Sequence, residues 1–309
     1  VKAFFITPPT NETDKHYESF LSLPGNEVQR HVYFNTKRAD SYENGRPRDD
    51  RMFSAALSYM PDVIIYIGAC GDNLPEPGIL RKLRDRIAPT VHLCSDAADD
   101  PWWPLLMEYD RIGAFSVQVA LDGNPAWPLA ETQITALTTL DPKWFARDFP
   151  RHAERPIGFG FAGNIGVVRA ALLERAATFG LQYRERDGAR NSYAEYVDYL
   201  GRCRIVLNFA RTGSLRHMQV KGRVIEAALA GAMLLEERGA PTSHWFTPGV
   251  DYLEYGSMEE AASILAAIHN RPVVTEAIAG RLREKVRADH SPAAFWRRVM
   301  ERIQIKETV

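Results

Sequence analysis

Short apolar runs alternate with amphipathic stretches along most of this chain, and that alternation limits the fold more than any single residue does. Lys2-Ala3-Phe4-Phe5-Ile6 and Asp62-Val63-Ile64-Ile65-Tyr66-Ile67 are almost continuously apolar. Such runs between helical patterns mark a parallel sheet covered on both faces. In the first half, strands are expected at 2–6, 28–34, 62–68, 90–94, 115–121 and 133–137, with helices over 51–59 and 77–87. Residues 35–50 carry Asn35, Arg38, Asp40, Asn44, Gly45, Arg46 and Pro47 with no periodic apolar face, so a mobile polar loop is expected there. After Leu140-Asp141-Pro142 the stretch to Pro156 mixes charges, aromatics and prolines and reads as a linker. A second alternating series follows: strands at 157–162, 181–184, 204–209, 232–236 and 251–255, and helices at 166–179, 192–201, 222–231 and 258–269. Ser257 and Glu260 form a capping box that starts the last of these helices. From Val273 two more helices are expected, broken at Ser291-Pro292. The fold class is therefore α/β, with two Rossmann-like domains.

A length of 309 residues suits two domains, each able to bury its own core. The net charge of −1 offers no global field for nucleic acid or an acidic membrane. No apolar run approaches the roughly 20 residues that span a bilayer, so no transmembrane segment is expected, while peripheral membrane contact stays open. Cys70, Cys94 and Cys203 are far apart and lack metal-ligand spacing, which implies a reduced, cytoplasmic setting. The N-terminus runs from Val1 straight into Thr7-Pro8-Pro9 and reads as a first buried strand rather than a signal peptide. It has no initiator methionine, so a removed leader stays open.

Charge is nevertheless concentrated in one place. From 211 to 223 the chain holds Arg211, Arg216, Lys221 and Arg223 with no acidic residue, between the apolar run Ile205-Val206-Leu207-Asn208-Phe209 and a small-residue helix. A basic loop after a strand, leading into a helix N-terminus, suits a phosphate or diphosphate, because unpaired backbone N–H groups and the helix dipole add to the side chains. Ligands of open α/β sheets bind beyond the carboxyl ends of the strands, where this loop belongs. On a helical wheel Val220, Val224, Ile225, Ala228 and Leu229 share one side and Gln219, Arg223 and Glu226 the other, so the polar stripe can face a ligand. Lys221 falls on the apolar side, which favours a helix that starts after it. The alternative is a solvated face on which Arg223 and Glu226 form a surface pair worth about 0.3 kcal/mol.

The run Gln219-Val220-Lys221-Gly222-Arg223-Val224-Ile225-Glu226-Ala227-Ala228, then Gly231-Ala232-Met233-Leu234-Leu235-Glu236-Glu237, resembles the donor-site segment of group 1 glycosyltransferases and is most similar to their CgeB-like, spore-maturation branch. Phe246-Thr247-Pro248-Gly249-Val250-Asp251-Tyr252, Ser257-Met258-Glu259-Glu260 and the earlier Gly158-Phe159-Gly160-Phe161-Ala162-Gly163-Asn164 resemble other parts of that segment, mainly between 157 and 290. The resemblance implies the GT-B fold: an acceptor domain at 1–153, a nucleotide-sugar donor domain at 154–288 facing it across a cleft, and a C-terminal helix at 289–309 returning to the first domain. Phe295, Trp296, Val299 and Ile303 would form that helix's apolar face. It implies a hexosyltransferase-like enzyme that needs no metal or cofactor beyond a UDP- or GDP-type donor sugar, with an acceptor that is a glycan, lipid, small molecule or protein, while the balanced charge predicts no nucleic-acid partner. Glu226 would accept the ribose hydroxyls. Lys221 and Arg223 would neutralise the diphosphate and stabilise the leaving group. Gly163, Asn164, Arg211, His217 and Gln219 complete the expected donor site, with Arg169 a weaker candidate. Many relatives have a second glutamate eight positions before Glu226; here that position is Met218, which leaves the sugar-facing contact to Gln219 or His217.

The acceptor side is marked only by Asp96, Asp99 and Asp100 followed by Trp102 and Trp103. Asp96 is the candidate general base. A helix cap with tryptophans packed in the core explains the same residues. Asp72 and Asn73 have the same two readings. His92 either faces the cleft or is a satisfied structural histidine. Gly158, Gly160 and Gly163 also spell G-x-G-x-x-G, with Glu185 and Asp187 downstream, so a nicotinamide-dependent enzyme is an alternative. That fingerprint needs a finished strand before its first glycine, and Gly158 and Gly160 fall inside the expected one. Close packing of a neighbouring helix is the plainer account of those two. Met218 and the first loop, Thr7-Pro8-Pro9 where relatives are often glycine-rich, leave room for a non-catalytic sugar-nucleotide-binding partner of an active enzyme.

Overall fold

In the first strand Phe4 and Ile6 enter one apolar cluster while Ala3 and Phe5 enter another. This residue-by-residue alternation between two cores is what a sheet buried on both faces requires. The computed structural model describes residues 1–7, 14–33, 42–43, 46–68, 75, 77–99, 102–121, 123–124, 130–163, 165, 167–185, 192–213, 215–268 and 270–307. The chain divides into two units, residues 1–141 with 212–217 and 292–309, and residues 142–211 with 218–291.

The first unit runs β1 (Lys2–Thr7), α1 (Asp14–Leu21), β2 (Glu27–Val32), β3 (Tyr42–Glu43), β4 (Arg46–Pro47), α2 (Arg48–Tyr59), β5 (Val63–Ile67), α3 (Pro77–Arg86), β6 (Thr90–Cys94), α4 (Trp102–Arg111), β7 (Val117–Ala120) and β8 (Gln133–Thr135). Its sheet has the order β2-β1-β5-β6-β7-β8 with every pairing parallel. Part of the segment expected to be a mobile loop is ordered: β3 and β4 pair antiparallel, and α2 begins at Arg48. A short hairpin can form there because backbone pairing needs no apolar periodicity.

The second unit runs β9 (Ile157–Gly163), α5 (Val167–Ala177), β10 (Leu181–Glu185), α6 (Tyr193–Arg202), β11 (Cys203–Leu207), α7 (Gly222–Leu229), β12 (Met233–Glu237), β13 (Leu253–Tyr255), α8 (Met258–Ile268) and α9 (Pro272–Asp289). Its sheet, β10-β9-β11-β12-β13, is also wholly parallel. Gly160 allows α6 to pack closely: a Cβ there would stand 2.4 Å from the Cys203 sulfur and 3.0 Å from the Tyr199 hydroxyl. α10 (Pro292–Glu307) follows α9 in the chain but belongs to the first unit. Its Phe295, Trp296, Val299 and Ile303 join the cluster that holds Phe5 and Phe20. Trp296 meets Phe20 edge-on at 4.9 Å, and its indole N–H donates to Ser19 Oγ at 3.1 Å. Among the described residues, no helix is long and apolar enough to cross a membrane.

Candidate functional site: the carboxyl edge of the second sheet

In the second sheet the chain passes from β9 outward to β10 and then returns to the other side of β9 as β11. This reversal opens a crevice between the carboxyl ends of β9 and β11, the place where doubly wound sheets take their ligands. The guanidinium of Arg223 lies there. Its Nε donates to the Ala162 carbonyl at 2.7 Å, its Nη1 donates to Asn208 Oδ1 at 2.8 Å, and it sits 4.3 Å above the Phe161 ring. Gly163 makes room for it, since a Cβ at that position would fall 2.1 Å from Nη2. The close approach at Gly163 is therefore made by a side chain of this protein.

Local sequence explains how Arg223 arrives there. Lys221 has extended backbone and caps α7, which begins at Gly222, so the helix starts after the lysine as its position on the wheel requires. Arg223 then lies in the first turn, beside the helix's positive end. α7 buries Val224, Ile225, Ala227 and Ala228.

The rest of the polar stripe does not face solvent. Gln219 and Glu226 are each only 2% exposed. The Gln219 backbone N–H donates to Ala210. Glu226 Oε1 accepts the Tyr193 hydroxyl at 3.1 Å and Oε2 accepts the Tyr196 hydroxyl at 2.7 Å. Both tyrosines come from one face of α6, whose start is set by the Ser192–Glu195 capping box. Hence the alternative of a solvated pair with Arg223 gives way to a buried carboxylate held by phenols. The tyrosines were missed by the sequence reading; their i, i+3 spacing was the available signal.

Beyond Asn208 lies a second buried carboxylate. The Asn208 side-chain amide donates to both oxygens of Glu236, at 2.9 and 3.0 Å. Thr242 Oγ1 donates to Oε2 at 2.9 Å, and the Glu237 backbone N–H donates to Oε1 at 3.0 Å. Burial raises the Glu236 carboxyl to about 7, against the lowering effect of these donors. Asn208 and Glu236 were also missed, although a polar residue ending an apolar strand run is a visible cue in each case. Arg211, exposed at the end of the same sheet, donates from Nε to Glu237 Oε1 at 2.9 Å. The basic loop thus meets an acidic partner that is distant in sequence.

The remaining candidates fall elsewhere. Asn164, Gly166, Asp72, Asn73, Asp100 and Asp187 lie outside the described residues, as do Pro8 and Pro9. His217 belongs to the 212–217 segment of the first unit, where its carbonyl accepts from Thr212. In the same unit Gly213 N–H donates to Asp99 Oδ2 at 2.8 Å. Asp96 is exposed after β6 with left-handed backbone, φ 55°. Trp102 and Trp103 open α4 and pack against the core. His92 is fully buried, stacked on Phe115 at 4.8 Å and hydrogen-bonded to Gln118 and the Gly68 carbonyl; burial lowers it to about 4. It is a structural histidine. Gly158 and Gly160 lie inside β9, so the glycines do not form a dinucleotide turn.

The whole chain superposes on solved glycosyltransferases of low sequence identity. A glycosyltransferase from Rickettsia africae matches with a TM-score of 0.67 at 9% identity, covering 98% of this chain and 97% of that one. HepE from Anabaena, solved with UDP, matches with a TM-score of 0.66 at 11% identity over 98% and 100% of the two chains. Sucrose-phosphate synthase from Thermosynechococcus elongatus gives 0.64 at 12% identity over 99% and 100%. The fold is GT-B. Residues 156–301 match the glycosyl transferase-like family, a span that holds the β9–β11 crevice described above. No curated protein sequence matches the chain. Family match and fold together support a glycosyltransferase, and the CgeB-like branch goes no further than the resemblance.

Proposed function

We propose that this protein transfers a sugar, hexosyl in type, from a nucleoside-diphosphate sugar to an acceptor hydroxyl, with UDP as the preferred carrier and without a metal. The observation that carries the reading is the Arg223 guanidinium at the β9–β11 reversal, inside the segment that matches the glycosyl transferase-like family. HepE was solved with UDP and with UDP-glucose, which favours a uridine donor for this chain.

Arg223, Lys221 and the backbone N–H groups at the start of α7 would bind the diphosphate. In the reaction a bond forms between the acceptor oxygen and the anomeric carbon. The bond from that carbon to the diphosphate oxygen breaks, and its electron pair leaves with the nucleotide. The leaving group gains one negative charge, and fixed cations aimed at it lower the barrier. Glu226 on α7, held by the Tyr193 and Tyr196 hydroxyls, would accept the ribose hydroxyls. The acceptor is assigned to the first unit, with Asp96 as candidate base for the hydroxyl proton. Gly163 and Arg211 border the site, while Gln219 and His217 remain the candidates for the sugar.

Calorimetry with UDP and GDP tests this. Lys221→Ala and Arg223→Ala should each weaken UDP binding about tenfold or more, the worth of a hydrogen bond to a charged group. Glu226→Ala should weaken UDP more than pyrophosphate. Equal affinity of all three variants and the parent for every nucleotide would remove the site.

A further inference from the structure

Glu236 has no place in the donor chemistry above, yet it is the most enclosed acidic group beside the site, with no solvent exposure and four hydrogen bonds accepted. Through one amide it is joined to the guanidinium assigned to the diphosphate: Arg223 donates to the oxygen of Asn208, and the nitrogen of Asn208 donates to Glu236. We propose that Glu236 is a proton-uptake group coupled to Arg223, so that binding of a diphosphate at Arg223 draws a proton from solvent onto the Glu236 carboxylate. Glu236 acts through Asn208 and Arg223, and is therefore a positioning residue. The inference rests on the donor-site reading.

The physical cause is charge balance in a poorly solvated place. While the crevice is empty, the Arg223 cation helps to offset the Glu236 anion. An anion bound to Arg223 cancels that help, and in a low-dielectric interior an uncompensated carboxylate is costly, so the proton is taken up. The surroundings of Glu236 add to this. Glu237 follows it on β12 and is held by Arg211, while Tyr252 and Tyr255 approach from the β13 side. Asp251, paired with Lys285, and Glu254, which accepts from Tyr252, are further charged groups there, and Arg169 lies near Tyr255. Among the described residues, Arg223 is linked to Glu236 by hydrogen bonds through Asn208. The site also tolerates both protonation states. Thr242 donates to Oε2 when Glu236 is ionised, and by turning its hydroxyl it can accept from the protonated form. Because burial already raises the group to about 7, a bound anion that raises it further draws a fraction of a proton from solvent at neutral pH.

The test is calorimetry of UDP-glucose binding at pH 7 in two buffers of different ionisation enthalpy, which counts protons directly. UDP-glucose has no phosphate that titrates near neutrality, so uptake belongs to the protein. The wild-type chain should take up a measurable fraction of a proton, falling towards zero below pH 5, and Glu236→Gln should bind with most of that uptake lost. Binding with no uptake, or with equal uptake in E236Q, overturns the proposal. Sulfate, which also does not titrate there, separates the two readings. If sulfate binds with E236Q-sensitive uptake while UDP-glucose does not bind, the coupling stands and the donor assignment fails. If neither anion gives such uptake, the coupling fails. Carbon-13 NMR of the glutamate carboxyls in the wild-type chain gives a check that needs no variant: one glutamate should titrate near neutral pH and move upward when UDP-glucose is added.

Discussion

The two sheets bury polar groups in different ways, and the difference separates scaffold from site. In the first unit His92 lies wholly inside, between Phe115 and Tyr66, with both ring nitrogens bonded to Gln118 and a backbone carbonyl. It is satisfied locally and touches no outlying charge. In the second unit Glu236 is equally buried, but its partner Asn208 also binds Arg223, which is only partly buried. Burial alone marks neither group as functional. What matters is whether the hydrogen-bond chain ends inside the core or at a crevice.

The largest expected effect tests the scaffold half of that contrast. Trp296→Ala removes a ring that packs on Phe5, Phe20 and Phe295 and should cost about 3–5 kcal/mol in urea unfolding. UDP affinity of the folded fraction should stay the same; a matching loss of affinity would mean that the two regions are not separable.

Acid titration of stability gives the next effect, and the two buried groups should pull in opposite directions. His92 is lowered in the folded state from 6.5 to about 4, so its contribution is complete above 6.5 and is lost as pH falls towards 4. Glu236 is raised from 4.5 to about 7, so its contribution is complete below 4.5 and is lost as pH rises through 7. Each slope is at most about 1.4 kcal/mol per pH unit, and between 4.5 and 6.5 they oppose one another in the wild-type chain. Relative to wild type, His92→Gln should therefore lose stability with rising pH in that window, and Glu236→Gln should gain it. Denaturation curves at four pH values would show this, and slopes of the same sign in both variants would contradict it.

The smallest effect sharpens the site half. Gly163→Ala places a methyl against the Arg223 guanidinium and should weaken UDP by about 1 kcal/mol, roughly fivefold, with unchanged helix and sheet content by circular dichroism. Unchanged affinity would show that Arg223 can shift without loss.

Much of the architecture was legible because each strand of a doubly covered sheet must be apolar on both faces. β1, β5, β6, β9, β11 and β12 all coincide with runs visible in the chain, to within a few residues at the ends. The start of α7 at Gly222 was legible from the awkward position of Lys221. α1 escaped because an eight-residue helix shows barely two turns of periodicity. β3 and β4, two residues each, show none. At the site, Lys221, Arg223 and Glu226 could be named from one contiguous segment. Tyr193, Asn208, Glu236 and Thr242 could not, because Tyr193 reaches Glu226 from α6, while Asn208, Glu236 and Thr242 meet only where the end of β11, β12 and the turn at Pro241–His244 converge.

The order of apolar runs and the clustering of basic residues by themselves determined two parallel α/β sheets and a cationic loop after β11. Periodicity and local charge are properties of neighbours along the chain, so a linear reading recovers them. Which cation enters the crevice, which glycine admits it, and which carboxylates are buried were decided only by tertiary structure. Each of those depends on distances between strands and helices separated by tens of residues, and burial changes what a carboxylate or an arginine does once its water is removed.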